Sequence, residues 1–422
     1  MTIALVDCNA FYCSAQILFE PWLRDFPVCV ASNNDACVVS RNDAAKALGI
    51  KMGQPVFELR EMASQGRVKI FSSNFPLYQS LSNRMMAILE GLSPKTFCYS
   101  IDESFCWLGG VPDPEAWGRN AQAEVMRRIG LPVGVGIAQT KTLAKLANWA
   151  AKKWKAQTGC VVLLTDPARQ EKLLRYAPAG EVWGIGSRLS ARLDAELGIK
   201  TAWQLATADA KLLRRVFNVN VERTARELQG VPCFPFGDSG PERKQQIICS
   251  RSFGEKVFSL DSLQGAVASF VGTAAGKLRA QGSLANCLQV FARTSHFGTG
   301  QAYSGSRIVA LPYPTDDTRD LLTAAMHGLA DLYRDGVAYA KAGIVLTQFV
   351  ERGATTGDLF APKPRTGSEA VMSVMDAINA KQGRGTLRLA RDTSARPWGM
   401  RSEMLSPAYT TSWSGIPSAK CI

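Results

Sequence analysis

Two adjacent carboxylates, Asp102 and Glu103, interrupt an otherwise apolar run, Phe97-Cys-Tyr-Ser-Ile-Asp-Glu-Ser-Phe-Cys-Trp-Leu108. Alternation on both sides, with no helical period, predicts two strands joined where the acids stand. Burial and mutual repulsion both oppose ionisation of two neighbouring acids on a hydrophobic hairpin, so a cation should compensate them. A divalent ion suits hard oxygen ligands and leaves room for phosphate oxygens. A second acid, Asp7, ends the apolar run Ile3-Ala-Leu-Val6 and precedes Cys8-Asn-Ala-Phe-Tyr12. A strand that stops at an acid and passes into a helix near Asn9 presents its carboxylate at the sheet edge. If that strand lies beside the hairpin, Asp7, Asp102 and Glu103 converge. Three such acids hold two cations roughly 3.5–4 Å apart, an arrangement that serves in-line phosphoryl displacement. Taken alone, an Asp-Glu pair reads as a solvated turn; the third acid changes that weighting.

The elements that must position these acids follow from the chain order. Strands are expected at Pro27–Ala31 and Ala36–Ser40, and helices at Asn42–Leu48, after Ser72-Ser73 as far as Leu92, and near Glu115–Arg128. A strand Val133–Ile137 then leads into Gln139-Thr-Lys-Thr-Leu-Ala-Lys-Leu-Ala-Asn148, a helix capped by Thr140 or Thr142 with Leu143, Leu146 and Ala147 inward. Lys141 and Lys145 share one helix face at i, i+4, which predicts a nearby acid or anion. The Val133-Gly-Val-Gly136 stretch lacks both P-loop and dinucleotide spacing. Strands alternating with helices around the acidic hairpin suggest a two-layer α/β core.

Three stretches carry a resemblance. Asp7-Cys-Asn-Ala-Phe-Tyr12, Tyr99-Ser-Ile-Asp-Glu-Ser-Phe105 and Val133–Asn148 resemble the signatures of Y-family translesion DNA polymerases, in the same order and at similar separations. The likeness runs along the whole chain. It is closest to the UmuC-like branch, the catalytic subunit of bacterial DNA polymerase V, down to Ala45-Lys-Ala-Leu-Gly-Ile-Lys-Met-Gly53. The resemblance implies an α/β and α+β multidomain right-hand fold with a ferredoxin-like palm, small fingers, a helix-hairpin-helix thumb, a βαββαβ little finger and a C-terminal tail.

The same resemblance implies roles for residues. Asp7, Asp102 and Glu103 would be catalytic and hold two Mg²⁺ ions, with the Cys8 carbonyl completing one shell. Tyr12 would be a steric gate under the sugar of the incoming nucleotide, where a rigid ring rejects a ribose 2′-OH; Phe11 is assigned to packing. Lys46, Lys152 and Arg41 would meet the triphosphate, although Asp43 stands where many relatives carry a Tyr that touches it. Val182-Trp-Gly-Ile-Gly-Ser-Arg-Leu189 resembles a helix-hairpin-helix element whose Gly184 and Gly186 admit a DNA phosphate. Arg251 and Arg293 would contact template phosphates. Leu359 and Phe360 lie where a sliding-clamp peptide is carried, with Thr356 replacing its usual Gln.

Composition agrees with a nucleic-acid partner. The 422 residues carry a net charge of +13, and residues 141–200 hold 11 Lys/Arg against 5 Asp/Glu, a balance that favours a polyanion through counterion release; charge alone would equally suit an acidic protein or membrane surface. With only two His and no C-x-x-C among 11 Cys, a zinc site or a Ser-His-Asp hydrolase is not expected. No run approaches the ~20 apolar residues of a membrane span, and Met1–Val6 meets Asp7 without a signal-peptide core, so a cytoplasmic protein is expected.

The expected domains are a palm over 1–165 with fingers inserted at about 14–75, a thumb over 166–232, a linker over 233–246, a little finger over 247–350 and a tail over 351–422 with short docking elements. The implied activity is error-prone, template-directed translesion synthesis under SOS control on primer-template DNA and dNTP, with a UmuD′-like dimer, RecA and the sliding clamp as partners. Two rivals are a catalytically silent DNA-binding regulator and a palm-like nucleotide cyclase. Retention of the three acids weighs against the first and the Gly-Ile-Gly element against the second.

Overall fold

The computed structural model describes residues 2–237, 243–295, 302–354, 362–392, 398–413 and 416. Among the described residues twelve strands fall in chain order as β1 (Ile3–Cys8), β2 (Val28–Ala31), β3 (Val38–Arg41), β4 (Lys69–Ser72), β5 (Lys95–Cys98), β6 (Glu103–Trp107), β7 (Val133–Ala138), β8 (Val161–Leu164), β9 (Ile247–Val257), β10 (Ser283–Arg293), β11 (Ser304–Thr315) and β12 (Tyr339–Glu351). They form three sheets within two compact units, Met1–Gly240 with Met404–Ile422, and Pro241–Glu403.

In the first unit the sheet order is β5-β6-β1-β7-β8, with β1 antiparallel to both neighbours and β7 parallel to β8. The apolar run of β1 is buried on both faces. Ala4 and Val6 join a core with the helices Phe11–Ile17, Phe75–Leu92 and Pro114–Ile129, whereas Ile3 and Leu5 pack with the helix Lys141–Lys153. Each such side chain removed from water contributes about 1.5–3 kcal/mol. The second helix layer corrects the two-layer expectation, and the cause is local. A Cβ on Gly136 would lie 2.1 Å from the Asn148 backbone nitrogen, so the glycines of β7 admit a helix against the sheet rather than a phosphate. Thr140 caps that helix, its hydroxyl oxygen accepting from Leu143 N–H at 3.3 Å.

A smaller sheet, β3-β2-β4, packs around Val38, Ala45, Ile50 and Ile70. Strands β4 and β8, each of four residues, had no separate sequence signal. Residues 404–413 run along this part of the first unit. Ser72 N–H donates to the Met404 carbonyl at 2.9 Å on the free side of β4, Asn74 Nδ2 donates to the Ser406 carbonyl and hydroxyl, and Tyr409 stacks on Phe19 at 4.3 Å.

The helices Pro167–Tyr176, Ser187–Leu197, Ala202–Thr207, Ala210–Val216 and Val219–Leu228 continue the Ile3/Leu5 core. In the second unit the antiparallel sheet β11-β10-β12-β9 packs on the helices Leu260–Ala280 and Thr318–Leu332, in βαββαβ chain order. A further helix, Ser368–Gln382, buries Met372 and Met375.

Candidate active site

The register of the first sheet sets the site. Asp7, next to last in β1, lies directly across from Glu103, first in β6, and across from Gly134 on β7. Asp102 immediately precedes β6, and its carbonyl accepts from Cys8 N–H at 2.9 Å. The backbone thus brings the three acids to one edge. After Cys8 the chain turns through Ala10 in a left-handed conformation (φ 44°) into the helix carrying Tyr12.

Each acid has a partner. Asp7 meets Lys152 at 2.5 Å, Glu103 meets Lys145 at 3.0 Å, and Asp102 accepts from the Ser100 hydroxyl at 2.6 Å. The lysines reach them by different routes. The Lys152 stem crosses Gly134, where a Cβ would lie 3.2 Å from Lys152 Cε; the glycine opposite Asp7 leaves that lane clear. The Lys145 ammonium lies over the rings of Tyr99 and Trp183, 4.5 and 5.6 Å from their centroids. Burial pushes the Asp7 carboxyl up to about 7; Lys152 opposes the rise, and Glu103 and Asp102 add to it. Among the described residues no three His, Cys, Asp or Glu side chains stand close enough, as oriented here, to share one ion. The acids are turned onto lysines and a serine instead. An apolar edge that concentrates three carboxylates and recruits two ammonium groups has the donor set and the charge deficit that divalent cations require.

Tyr12 stacks on Tyr78 and meets Phe75 edge to face; burial raises its hydroxyl above the ordinary tyrosine value. Phe11 is 3% exposed and packs in the core. On the helix Asp43–Ala47 that follows β3, Lys46 pairs with Asp43 at 2.8 Å, and Lys155 takes the other Asp43 oxygen. The two lysines hold the Asp43 carboxyl at about 2. The Arg41 guanidinium donates to the Ile50 carbonyl while its Nε is buried without a partner.

Gly184 has φ +86° and Gly186 is the N-cap of the helix Ser187–Leu197, with open space where its Cβ would stand. In the second unit Arg251 on β9 and Arg293 on β10 lie across from Ala342 and Lys341 of β12, the strand between them. Leu359 and Phe360 lie outside the described residues.

Four residues escaped the sequence reading. Tyr78 and Gln16 brace Tyr12, and their helical positions gave no hint of it. Trp183 adjoins the Gly-Ile-Gly element but lacked a stated partner. Glu227, 1% exposed, accepts from the N–H groups of Thr142, Cys233 and Phe234; an acid inside an amphipathic helix was the signal available. The acid sought near Lys141 and Lys145 is Glu103 for Lys145. Lys141 turns away to the Pro235 carbonyl, over the rings of Phe97 and Phe105.

Comparison with known proteins matches these elements to a family. Residues 6–149 match the impB/mucB/samB family, residues 244–359 its C-terminal domain, and residues 369–419 a domain of unknown function. Protein UmuC of Salmonella typhimurium is 46% identical over 422 residues, 99% of this chain and 100% of that protein. DNA polymerase IV of Caulobacter vibrioides is 28% identical, over 94% of this chain and 95% of that one. A solved Y-family DNA polymerase chimera of Dbh and Dpo4 superposes with a TM-score of 0.64 at 19% identity, covering 83% of this chain and 100% of that chain; it has the same right-hand fold. The chain belongs to the impB/mucB/samB family, as a UmuC-like member of the Y-family DNA polymerases.

Proposed function

We propose that this chain is an error-prone translesion polymerase. The primer 3′-OH attacks the α-phosphate of a bound dNTP, a phosphodiester forms as the α–β bond breaks, and pyrophosphate leaves. The observation that carries this reading is the cross-strand pair Asp7 and Glu103, with Asp102 beside it and Asp7 raised to about 7 by burial. Such an edge is costly for the fold and useful for phosphoryl transfer. Two Mg²⁺ ions, held by Asp7, Asp102, Glu103 and the Cys8 carbonyl, would supply charge stabilisation for the attacking and leaving oxygens.

The side chains of the chain do the positioning. Lys152, resting on Asp7 in the free protein, transfers to the triphosphate, with Lys46 and Arg41 meeting it from the smaller sheet. Tyr12 lies beneath the deoxyribose and rejects a 2′-OH by collision. Gly184 and Gly186 offer backbone N–H groups to a duplex phosphate, and Arg251 and Arg293 neutralise template phosphates. In this reading residues 1–165 are palm with fingers at about 14–75, 166–232 thumb, 233–246 linker, 247–350 little finger and 351–422 tail.

Likeness to UmuC supports a setting in SOS mutagenesis, with a UmuD′-like dimer, RecA and the sliding clamp as partners. Among the described residues no helix is long and apolar enough to cross a membrane, which agrees with a cytoplasmic location. The test is primer extension with Mg²⁺ on undamaged and abasic templates. Wild type should extend both, and Asp102→Ala should lose about 10³-fold or more. Equal extension by both proteins removes Asp102 from the catalytic set, and none by either with the partners present overturns the reading in favour of a silent regulator.

A further inference from the structure

We infer that Lys145 is a positioning residue for Glu103, fixed by an aromatic clamp of Tyr99 and Trp183 that joins the carboxylate to the Gly184–Gly186 hairpin; this rests on the reading of Glu103 as an active-site acid. The Lys145 ammonium lies 3.1 and 3.0 Å from the two Glu103 oxygens. Its side chain is only 17% exposed, and its ammonium lies over both the Tyr99 and the Trp183 ring. Those rings are locked together. Trp183 Nε1–H donates to the Tyr99 hydroxyl at 3.2 Å, and the rings meet at 88° with centroids 5.6 Å apart. Phe105 and Phe234 close on the indole from other sides.

The clamp separates the two lysines of the site by function. An ammonium held over aromatic faces in a partly desolvated position resists displacement. Lys152 is 28% exposed and makes its ion pair with Asp7; no aromatic ring is described over its ammonium, so it is the one able to leave. A carboxylate has about four lone-pair sites, so Glu103 keeps Lys145 and still has acceptors to offer. The sequence places Trp183 directly before Gly184, so the segment that would meet a duplex phosphate also carries the ring that braces Lys145. Engagement of DNA and orientation of Glu103 therefore share one side chain.

Steady-state extension and primer-template affinity test this, with the full chain and with Lys145→Gln, Trp183→Leu, Trp183→Phe and Tyr99→Phe. Lys145→Gln should lower kcat by about ten- to a hundredfold, with the KM for dNTP and the Kd for primer-template changed less than about twofold. Trp183→Leu should do the same more weakly, and Trp183→Phe, which keeps an aromatic face, should recover most of that loss. Mn²⁺ binding by the free protein, followed by electron paramagnetic resonance, should tighten severalfold in Lys145→Gln, since a positive charge beside the acid is gone. A rise in the KM for dNTP with kcat intact would make Lys145 a triphosphate contact and overturn the inference. So would a Trp183→Leu defect confined to primer-template Kd. If wild type makes no product the polymerase reading fails, and the Mn²⁺ comparison still decides: unchanged affinity in Lys145→Gln overturns the placement of Lys145 on Glu103.

Discussion

Tyr12 stacks on Tyr78 with ring centroids 4.3 Å apart and planes 13° from parallel. Gln16 Nε2 donates to the Tyr78 hydroxyl at 2.9 Å, and Tyr78 itself is fully buried. The ring proposed to lie beneath the sugar therefore rests on a second ring that cannot tilt without breaking a buried hydrogen bond. Tyr12→Ala should raise ribonucleotide incorporation by about 10²-fold or more, because the collision is removed. Tyr78→Leu keeps the Tyr12 ring but loosens its floor, and should give about a tenfold rise. Competition between a dNTP and its ribonucleotide in single-nucleotide extension measures both, and unchanged selectivity in Tyr12→Ala removes the gate assignment.

Asp7 yields a prediction on stability. Its folded-state carboxyl sits near 7 against an ordinary 3.8, chiefly through burial. Below about pH 4 both states are protonated and the shift costs nothing. As pH rises toward 7 the unfolded chain ionises first, so stability falls, and the loss is complete above the folded value. Asp7→Asn should therefore melt higher than wild type at pH 8, by on the order of 1–3 kcal/mol, with the gap closing near pH 4. Added Mg²⁺ should raise the melting temperature of wild type and leave that of Asp7→Asn nearly unmoved. A gap independent of pH would mean that Asp7 is not the titrating group.

Lys152 gives a kinetic counterpart. Its stem crosses Gly134 to reach Asp7, and in the proposed reading the same reach serves a triphosphate. Lys152→Ala should raise the KM for dNTP by about ten- to a hundredfold while primer-template affinity stays level, whereas Gly134→Ala should produce a milder defect of the same kind by obstructing the stem. Steady-state kinetics at fixed primer-template separates the two terms.

The legible parts of this molecule were those whose signal is local. A buried strand that ends in an acid is written in Ile3–Asp7, a hairpin in the alternation around Asp102 and Glu103, and a helix cap in Thr140, which accepts from a backbone N–H in the fold. Asn42, read as the first residue of its helix, is the cap instead. Short docking elements were expected in the tail over 351–422 without a stated partner surface, and residues 404–413 lie on the first unit. Side-chain direction was not legible. Lys141 and Lys145 share a face in sequence, yet one enters a cage of phenylalanines and the other an ion pair, because what faces each is set by strands more than thirty residues away. Strands β4 and β8 were missed for a related reason. Runs of four residues, Lys69-Ile-Phe-Ser72 and Val161-Val-Leu-Leu164, are too short to show a period, and pairing with β2 and β7 defines them.

Glu227 is a buried acid that holds three chain segments. One of its oxygens accepts from Thr142 N–H at 2.9 Å and from the Thr142 hydroxyl at 2.7 Å; the other accepts from Cys233 and Phe234 N–H groups, both at 3.1 Å. It thus satisfies the first turn of the helix Lys141–Lys153, where a negative charge also suits the helix dipole. Glu227→Gln replaces an acceptor oxygen by a donor facing donors. The cost should be about 2–4 kcal/mol, read as a lower thermal midpoint.

Residues 404–413 supply the last prediction. Among the described strands β4 pairs only with β2, so its far side is an edge, and Met404 covers it by accepting from Ser72 N–H while donating its own N–H to the Ser72 hydroxyl. Such edges left bare favour pairing with other chains. Asn74 ties this cover to the helix behind it: its side-chain oxygen accepts from Leu77 N–H as the N-cap, and its Nδ2 donates to the Ser406 and Pro407 carbonyls. Asn74→Ala removes cap and tie together and should cost about 1–2 kcal/mol. Tyr409→Ala leaves Phe19 without its stacking partner and should cost a similar amount. A chain ending at Glu403 should melt lower than either and aggregate faster on warming, because the β4 edge and the Phe19 ring are then exposed at once. Thermal melts paired with light scattering distinguish the two effects, and a truncated chain as stable and as dispersed as wild type would show that the segment adds nothing to the fold.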